Sequence, residues 1–198
     1  MSPLIFDPAA HTYTLDGQPV PGVTRVLQAL PNEYAMVDPE VLERAAEIGR
    51  AVHWIIEHKI LGDLVADEVD FHLLPYLDQW LDFRRTSGFQ PLLSEGQVYS
   101  RRYRYAGTLD LFGRLNGRLA LIDAKRTAAV PRSAGPQTAG YELALRECRP
   151  DLLPITERVD RFALHLTPQR WQLVPFRAAA DQRVFLSALT IYQWSKAA

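Results

Sequence analysis

A chain of 198 residues can bury a substantial core, and 47% hydrophobic with 23% charged residues excludes a disordered or low-complexity segment. One cysteine, Cys148, excludes a disulfide framework, a zinc knuckle or a four-cysteine iron–sulfur site within a single chain, and it fits a reducing cytoplasm. A net charge of -1 argues against a protein that coats nucleic acid over its whole surface; no stretch reaches the roughly 18 apolar residues of a membrane span, and the first residues lack the basic and apolar regions of a signal peptide.

In chain order, Tyr13 and Leu15 alternate before Asp16-Gly17, which predicts a short hairpin. A short helix follows over about 23–30. Asp38 reads as an N-cap and Pro39 as the first helical residue of a helix over 37–61. Its apolar stripe is Leu42, Ala45, Ala46, Gly49, Val52, Ile56 and Ile60. A further helix spans about 69–86 and ends near Gly88. Beyond Pro91 the period becomes extended, with strands over 94–102, 105–115 and 118–126. A helix over 136–148, a hairpin of 159–167 with 171–177 around Pro168-Gln169, and a closing helix over 180–197 complete the chain. The order predicts one α/β (α+β) domain, 1–198, with a mixed central sheet flanked by helices. Residues 1–90 form an N-terminal hairpin and helical extension, 91–177 the core sheet with its helix, and 178–198 the last helix.

The chemistry concentrates in the strands over 105–126. Asn116-Gly117 predicts a type I′ two-residue turn. That register sets Asp110 opposite Asp123 and Thr108 opposite Lys125, all on one face, with Leu109, Leu111, Leu115, Ala120, Ile122 and Ala124 on the other. Two opposed carboxylates have Cβ atoms about 4.5–5.5 Å apart and repel. A shared proton or a bound cation relieves this. A proton-sharing pair suits an acid–base hydrolase such as a glycosidase, whereas Lys125 favours ionised carboxylates and hence a hard divalent ion. A plain surface Asp–Lys pair is the alternative.

Residues 99–132 hold eight basic residues against Asp110 and Asp123 alone, while 31–82 are rich in acids. The basic segment reads either as a solvated face or as a patch for a polyanion. Arg101, Arg102 and Arg104, beside Tyr103, either track phosphates or decorate a solvated edge strand. His53 lies on the apolar stripe of its helix, as a core histidine or a ligand. Gln137 and Tyr141 share a helix face near a helix start.

Gly107-Thr108-Leu109-Asp110, Asp123-Ala124-Lys125 and Gln137-Thr138-Ala139-Gly140-Tyr141 occur in the order G-x-x-D, (D/E)-x-K, Q-x-x-x-Y, preceded by "GRAVH" with Gly49 and His53. This pattern resembles the PD-(D/E)XK nuclease superfamily, in the branch of RecB-type nuclease domains and phage exonucleases. It covers about 45–142, and "YTLDGQPVPGVTRVL" is similar to phage-encoded members. Leu109 stands where the superfamily name has proline, and Asp123 where glutamate is commoner. The missing cysteines exclude the iron–sulfur subgroup.

The resemblance implies a restriction-endonuclease-like core and a Mg²⁺-dependent DNA nuclease, with Mn²⁺ as substitute. Asp110, Asp123 and Lys125 would be catalytic. Asp110, Asp123, the Ala124 carbonyl, His53 and Glu95 would hold the metal, although Glu95 also reads as an ordinary surface glutamate. Gln137, Tyr141, Arg101, Arg102, Arg104 and Arg126 would meet DNA. An exonuclease working on DNA ends in phage-type recombination, repair or replication is the favoured form. It would act in the cytoplasm (the host's, if phage-encoded), beside a single-strand-annealing or single-strand-binding protein, and as a homo-oligomer in some relatives. The alternatives are a structure-specific endonuclease and a non-catalytic DNA-binding or assembly subunit on the same fold.

Overall fold

Thr12–Leu15 (β2) and Gln18–Val20 (β3) form the expected hairpin in the computed structural model, which describes residues 3–127 and 129–197. A third strand, Leu4–Asp7 (β1), pairs antiparallel with β2 and was not assigned from the sequence. Leu4, Tyr13, Leu15 and Val20 bury together against Ala106. Val23–Val26 (α1) and a 3-10 turn over Leu27–Ala29 take the place of the predicted short helix.

Pro39–Leu61 (α2) begins as its sequence dictates: the Asp38 carboxylate accepts the Glu40 N–H at 2.8 Å, and Gly62 ends the helix in the left-handed region. Of its apolar stripe only Val52 and Ile56 are buried, joined by Ile55 beside them. Leu74–Ser87 (α3) ends at Gly88 as expected but starts later than 69. Pro75, with no N–H to give, suits the first turn and marks that start.

Five strands form the main sheet in the order Gln90–Ser100 (β4), Tyr105–Leu115 (β5), Arg118–Lys125 (β6), Val159–Leu166 (β7) and Trp171–Phe176 (β8). Asn116 and Gly117, with φ of 50° and 78°, make the I′ turn between β5 and β6. Ala134–Cys148 (α4) connects β6 to β7, the one parallel pair, so the sheet is mixed. Ala180–Lys196 (α5) closes the fold. Among the described residues, no helix is long and apolar enough to cross a membrane.

Both faces of the sheet are covered. Leu111, Ala120 and Ile122 pack with α2 and α3 around Trp80, Phe83 and Phe89, whereas Leu109, Phe112 and Leu121 pack with α1, α4 and α5 around Tyr105 and Phe185. This corrects the expectation that Leu109 and Leu111 share a face. They enter opposite cores, so the alternation of β5 changes phase at Asp110. Opposite it, Glu95 takes a left-handed φ of 45°. Arg101, Arg102 and Arg104 lie in the turn after β4, not on an edge strand. The Glu147 carboxylate ties that turn down by accepting the N–H groups of Arg101 and Arg102.

Arg161 on β7 stitches sheet to helices. Its guanidinium donates to the Gly135 carbonyl at 2.9 Å and pairs with Asp181 at 3.1 Å and Glu142 at 3.3 Å. Arg161→Ala would leave the half-buried Asp181 carboxylate unpaired and Glu142 with Arg146 alone. The expected loss is about 3 kcal/mol in urea denaturation, with Arg161→Lys recovering only part because one ammonium cannot serve all three acceptors.

Candidate metal centre

The strands carrying the acidic motif separate at the site. β5 and β6 pair from Leu115–Arg118 to Leu111–Ile122, and there the pairing stops, one step short of Asp110 and Asp123. Beyond it β5 stays with β4, at Leu109–Gly96, and β6 stays with β7, through Lys125–His165. Past the fork Ala124 has two backbone groups turned toward the departed strand. Its N–H donates to Asp110 Oδ2 at 2.7 Å, and its carbonyl meets His53 Nε2 at 3.1 Å. Asp110 and Asp123 are thus not a direct cross-strand pair; Asp110 reaches over and bonds the backbone after Asp123.

His53 comes from α2, on the other side of the gap. Its Nδ1 meets Glu95 Oε1 at 3.1 Å and lies 3.6 Å from Asp110 Oδ1. His53, Glu95 and Asp110 each offer a ligand atom, and these atoms all lie within 4.8 Å of one another. Burial would lower the His53 pKa, but the Asp110 charge and the hydrogen bond and charge of Glu95 outweigh it and raise it to about 9. The imidazolium thus holds together lone pairs that also suit a small cation.

Asp123 is 1% exposed, which removes the reading of a surface Asp–Lys hairpin. Lys125 Nζ approaches its Oδ2 at 2.8 Å, yet neither oxygen accepts a well-formed hydrogen bond from any described residue. Burial raises the Asp123 pKa to about 6 despite Lys125, and burial also raises that of Asp110. The buried Asp123 carboxylate, the Asp110 carboxylate, the His53-bonded Glu95 and the His53 imidazole once its proton is lost form a donor set that fits Mg²⁺ or Mn²⁺.

Lys125 also donates to Gln137 Oε1 at 3.2 Å, and Gln137 Nε2 to the Tyr141 hydroxyl at 3.4 Å. Burial holds Tyr141 as a neutral phenol, well above its ordinary pKa. The motif glycine has a steric reason: a Cβ on Gly107 would stand 2.7 Å from the Tyr141 ring. The structure therefore brings together His53, Glu95, Asp110, Asp123, Ala124, Lys125, Gln137 and Tyr141. All but Asp123 and Ala124 line one cavity of about 590 Å³.

Most of the arginines expected at DNA are elsewhere. Arg101 is bound by Asp16 at 2.9 Å through two nitrogens, and Arg102 lies over the Tyr103 ring. Arg126 turns inward, donating to the Ala45 carbonyl at 2.8 Å and covering Tyr76. Arg104 lines a neighbouring hollow. The sequence reading missed Tyr13, whose hydroxyl bonds Thr108 at 2.9 Å, and Trp54 on the cavity wall. A tryptophan next to His53, off the apolar stripe, was the available signal for the latter.

Fold and site together define a mixed α/β protein with a buried acidic cluster able to take a divalent cation. Among solved structures, the chain is similar to an alkaline exonuclease (LHK-Exo) from Laribacter hongkongensis, at 12% identity over 88% of this chain and 86% of that one, TM-score 0.42. It is also similar to SSO0001, at 14% identity over 73% and 71%, TM-score 0.35. No protein-family model and no curated protein sequence matches it.

The strained acids predict a stability signature. A carboxyl whose folded pKa is about 6, above its ordinary 3.8, contributes stability that is full below 3.8 and lost as pH rises through 6. In EDTA, Asp123→Asn should therefore melt above the parent at pH 8, with the advantage gone by pH 4. Gly107→Ala should lower stability by about 1–3 kcal/mol through the clash with Tyr141, and Gly107→Ala combined with Tyr141→Leu should recover part of it in the same denaturation assay.

Proposed function

We propose that this protein is a metal-dependent deoxyribonuclease of the RecB-type and phage exonuclease branch, hydrolysing phosphodiesters at DNA ends. One observation carries the reading: at the sheet fork His53, Glu95 and Asp110 bring ligand atoms within 4.8 Å of one another, beside a buried Asp123 whose Oδ1 has no hydrogen-bond partner among the described residues and whose Oδ2 meets Lys125. The order of the sequence motifs agrees with it.

Asp110, Asp123, the Ala124 carbonyl, His53 and Glu95 would hold Mg²⁺ or Mn²⁺. When bound, the ion supplies Lewis acidity toward a phosphate oxygen and a water. Lys125 stays charged, because burial, which would lower its pKa, is outweighed by Asp123 and Asp110. Its Nζ is held between Asp123 Oδ2 and Gln137 Oε1, so its charge stands fixed where negative charge grows on the phosphate. Gln137 and Tyr141 brace that lysine from α4, and the buried walls limit the water that can screen it.

The test is cleavage of end-labelled linear and covalently closed circular DNA in Mg²⁺, Mn²⁺ or EDTA. The expected result is metal-dependent loss of the linear substrate only, reduced at least about a hundredfold in Asp110→Asn, Asp123→Asn and Lys125→Ala, with melting temperatures showing that each variant is folded. Cutting of the circle would make it an endonuclease. Binding without cleavage under all conditions would favour a non-catalytic subunit.

A further inference from the structure

A second hollow, also about 590 Å³, adjoins the metal cavity, and His11, Tyr13 and Thr24 line both. Its charge is one-sided. Among the described residues, Arg25, Arg104 and Lys196 line it and no Asp or Glu side chain does, in a chain whose net charge is -1. None of the three cations makes an ion pair with a described residue; the nearby Asp16 carboxylate is taken by Arg101. Three separate tethers aim them. Arg25 rides on α1, which the Ala106 N–H to Pro21 carbonyl bond holds against β5. Arg104 closes its turn through its own N–H to Ser100, at a left-handed φ of 58°. Lys196 ends α5, which Gln193 fastens to the Tyr103 carbonyl at 2.9 Å.

The metal cavity itself is lined by rings from two elements. In the small sheet Phe6, half-buried, stacks at 4.8 Å on the buried Tyr13 with His11 edge-on, and on α2 Trp54 is 52% exposed beside the His58 ring at 4.2 Å. Phe6 and Trp54 each leave part of a ring open to an unpaired base, whereas paired bases in a duplex have their faces covered by neighbours.

From these we infer that the basic hollow and the aromatic cavity form one track for single-stranded nucleic acid. Phosphates lie on Arg25, Arg104 and Lys196, and bases are received against the rings of Phe6 and Trp54. The inference deepens the nuclease reading by naming the form of substrate, and what it predicts about binding does not require cleavage.

The test is fluorescence anisotropy of a labelled oligo-dT with the full chain in EDTA, beside a blunt duplex of equal length. Single strands should bind more tightly than duplex. The triple variant Arg25→Ala, Arg104→Ala, Lys196→Ala should bind them at least about tenfold more weakly, with the slope of log affinity against log salt shallower by about 2, from about 0.7 per released contact. Trp54→Ala should weaken binding, and oligo-dT should quench tryptophan fluorescence in the parent more than in that variant. Lys196→Glu alone, at an exposed helix end, should show the same direction if the triple variant does not fold. Unchanged affinity and slope in folded variants, or equal and equally sensitive duplex binding, would overturn the track. A chain that binds as expected yet never cleaves would overturn only the nuclease reading.

Discussion

The bond from the Ala124 N–H to the Asp110 carboxylate is the contact on which the site depends. Two antiparallel strands joined by a tight turn would ordinarily stay paired along their length, and their inward side chains would be packed too closely to admit anything between them. Here β5 leaves β6 after Leu111–Ile122, and the orphaned backbone of Ala124 is met by an acidic side chain on one atom and an imidazole on the other. A carboxylate that replaces a strand's carbonyl keeps its second oxygen free. The fork thereby converts a ladder position into a ligand position, while β4 and β7 keep each strand fixed from its far side.

This arrangement is electrostatically expensive. Asp123 and Asp110 are buried close together, and burial pushes both carboxyl groups above their ordinary range. Lys125 and a protonated His53 offset part of that cost from opposite sides. Breaking such a balance on one side exposes the other charge to the low-dielectric interior, so each charged residue here constrains its neighbours. The interior on either side is correspondingly apolar, with Trp80, Phe83 and Phe89 behind one face and Tyr105 and Phe185 behind the other. Those clusters hold the two strands in place despite the repulsion between the carboxylates.

Local chemistry was legible in the sequence. Asp38-Pro39 started its helix, Asn116-Gly117 made its turn, and the register that the turn implied holds through Leu111–Ile122. It fails at the next step, because the phase change at Asp110 depends on a left-handed Glu95 in the neighbouring strand, which no pattern within β5 announces. The four residues of β1 carry too little alternation to be read as a strand; their register comes from β2. Arg126 shows the limit for charge. A basic residue after the motif lysine reads as a phosphate ligand, yet its guanidinium finds the Ala45 carbonyl and the Tyr76 ring in the interior. Motif residues were found because chemistry fixes their spacing. Wall residues such as Tyr13 and Trp54 were not, because only tertiary packing brings them to the cavity.

That difference reflects a division within the molecule. The acids and lysine sit on strands of the main sheet, where pairing on the outer sides fixes their backbone. The rings and cations around them come from the small sheet, α1, the half-buried α2, a turn and the end of α5, elements that touch the main sheet through few contacts. A strand position tolerates little change, since one residue of slip reverses every side chain. A helix face or a turn beside the cavity can change its side chains without moving the fork. The positions of the acids and lysine are therefore fixed by the sheet, and the rings and cations around their cavity are set by peripheral elements that can vary independently.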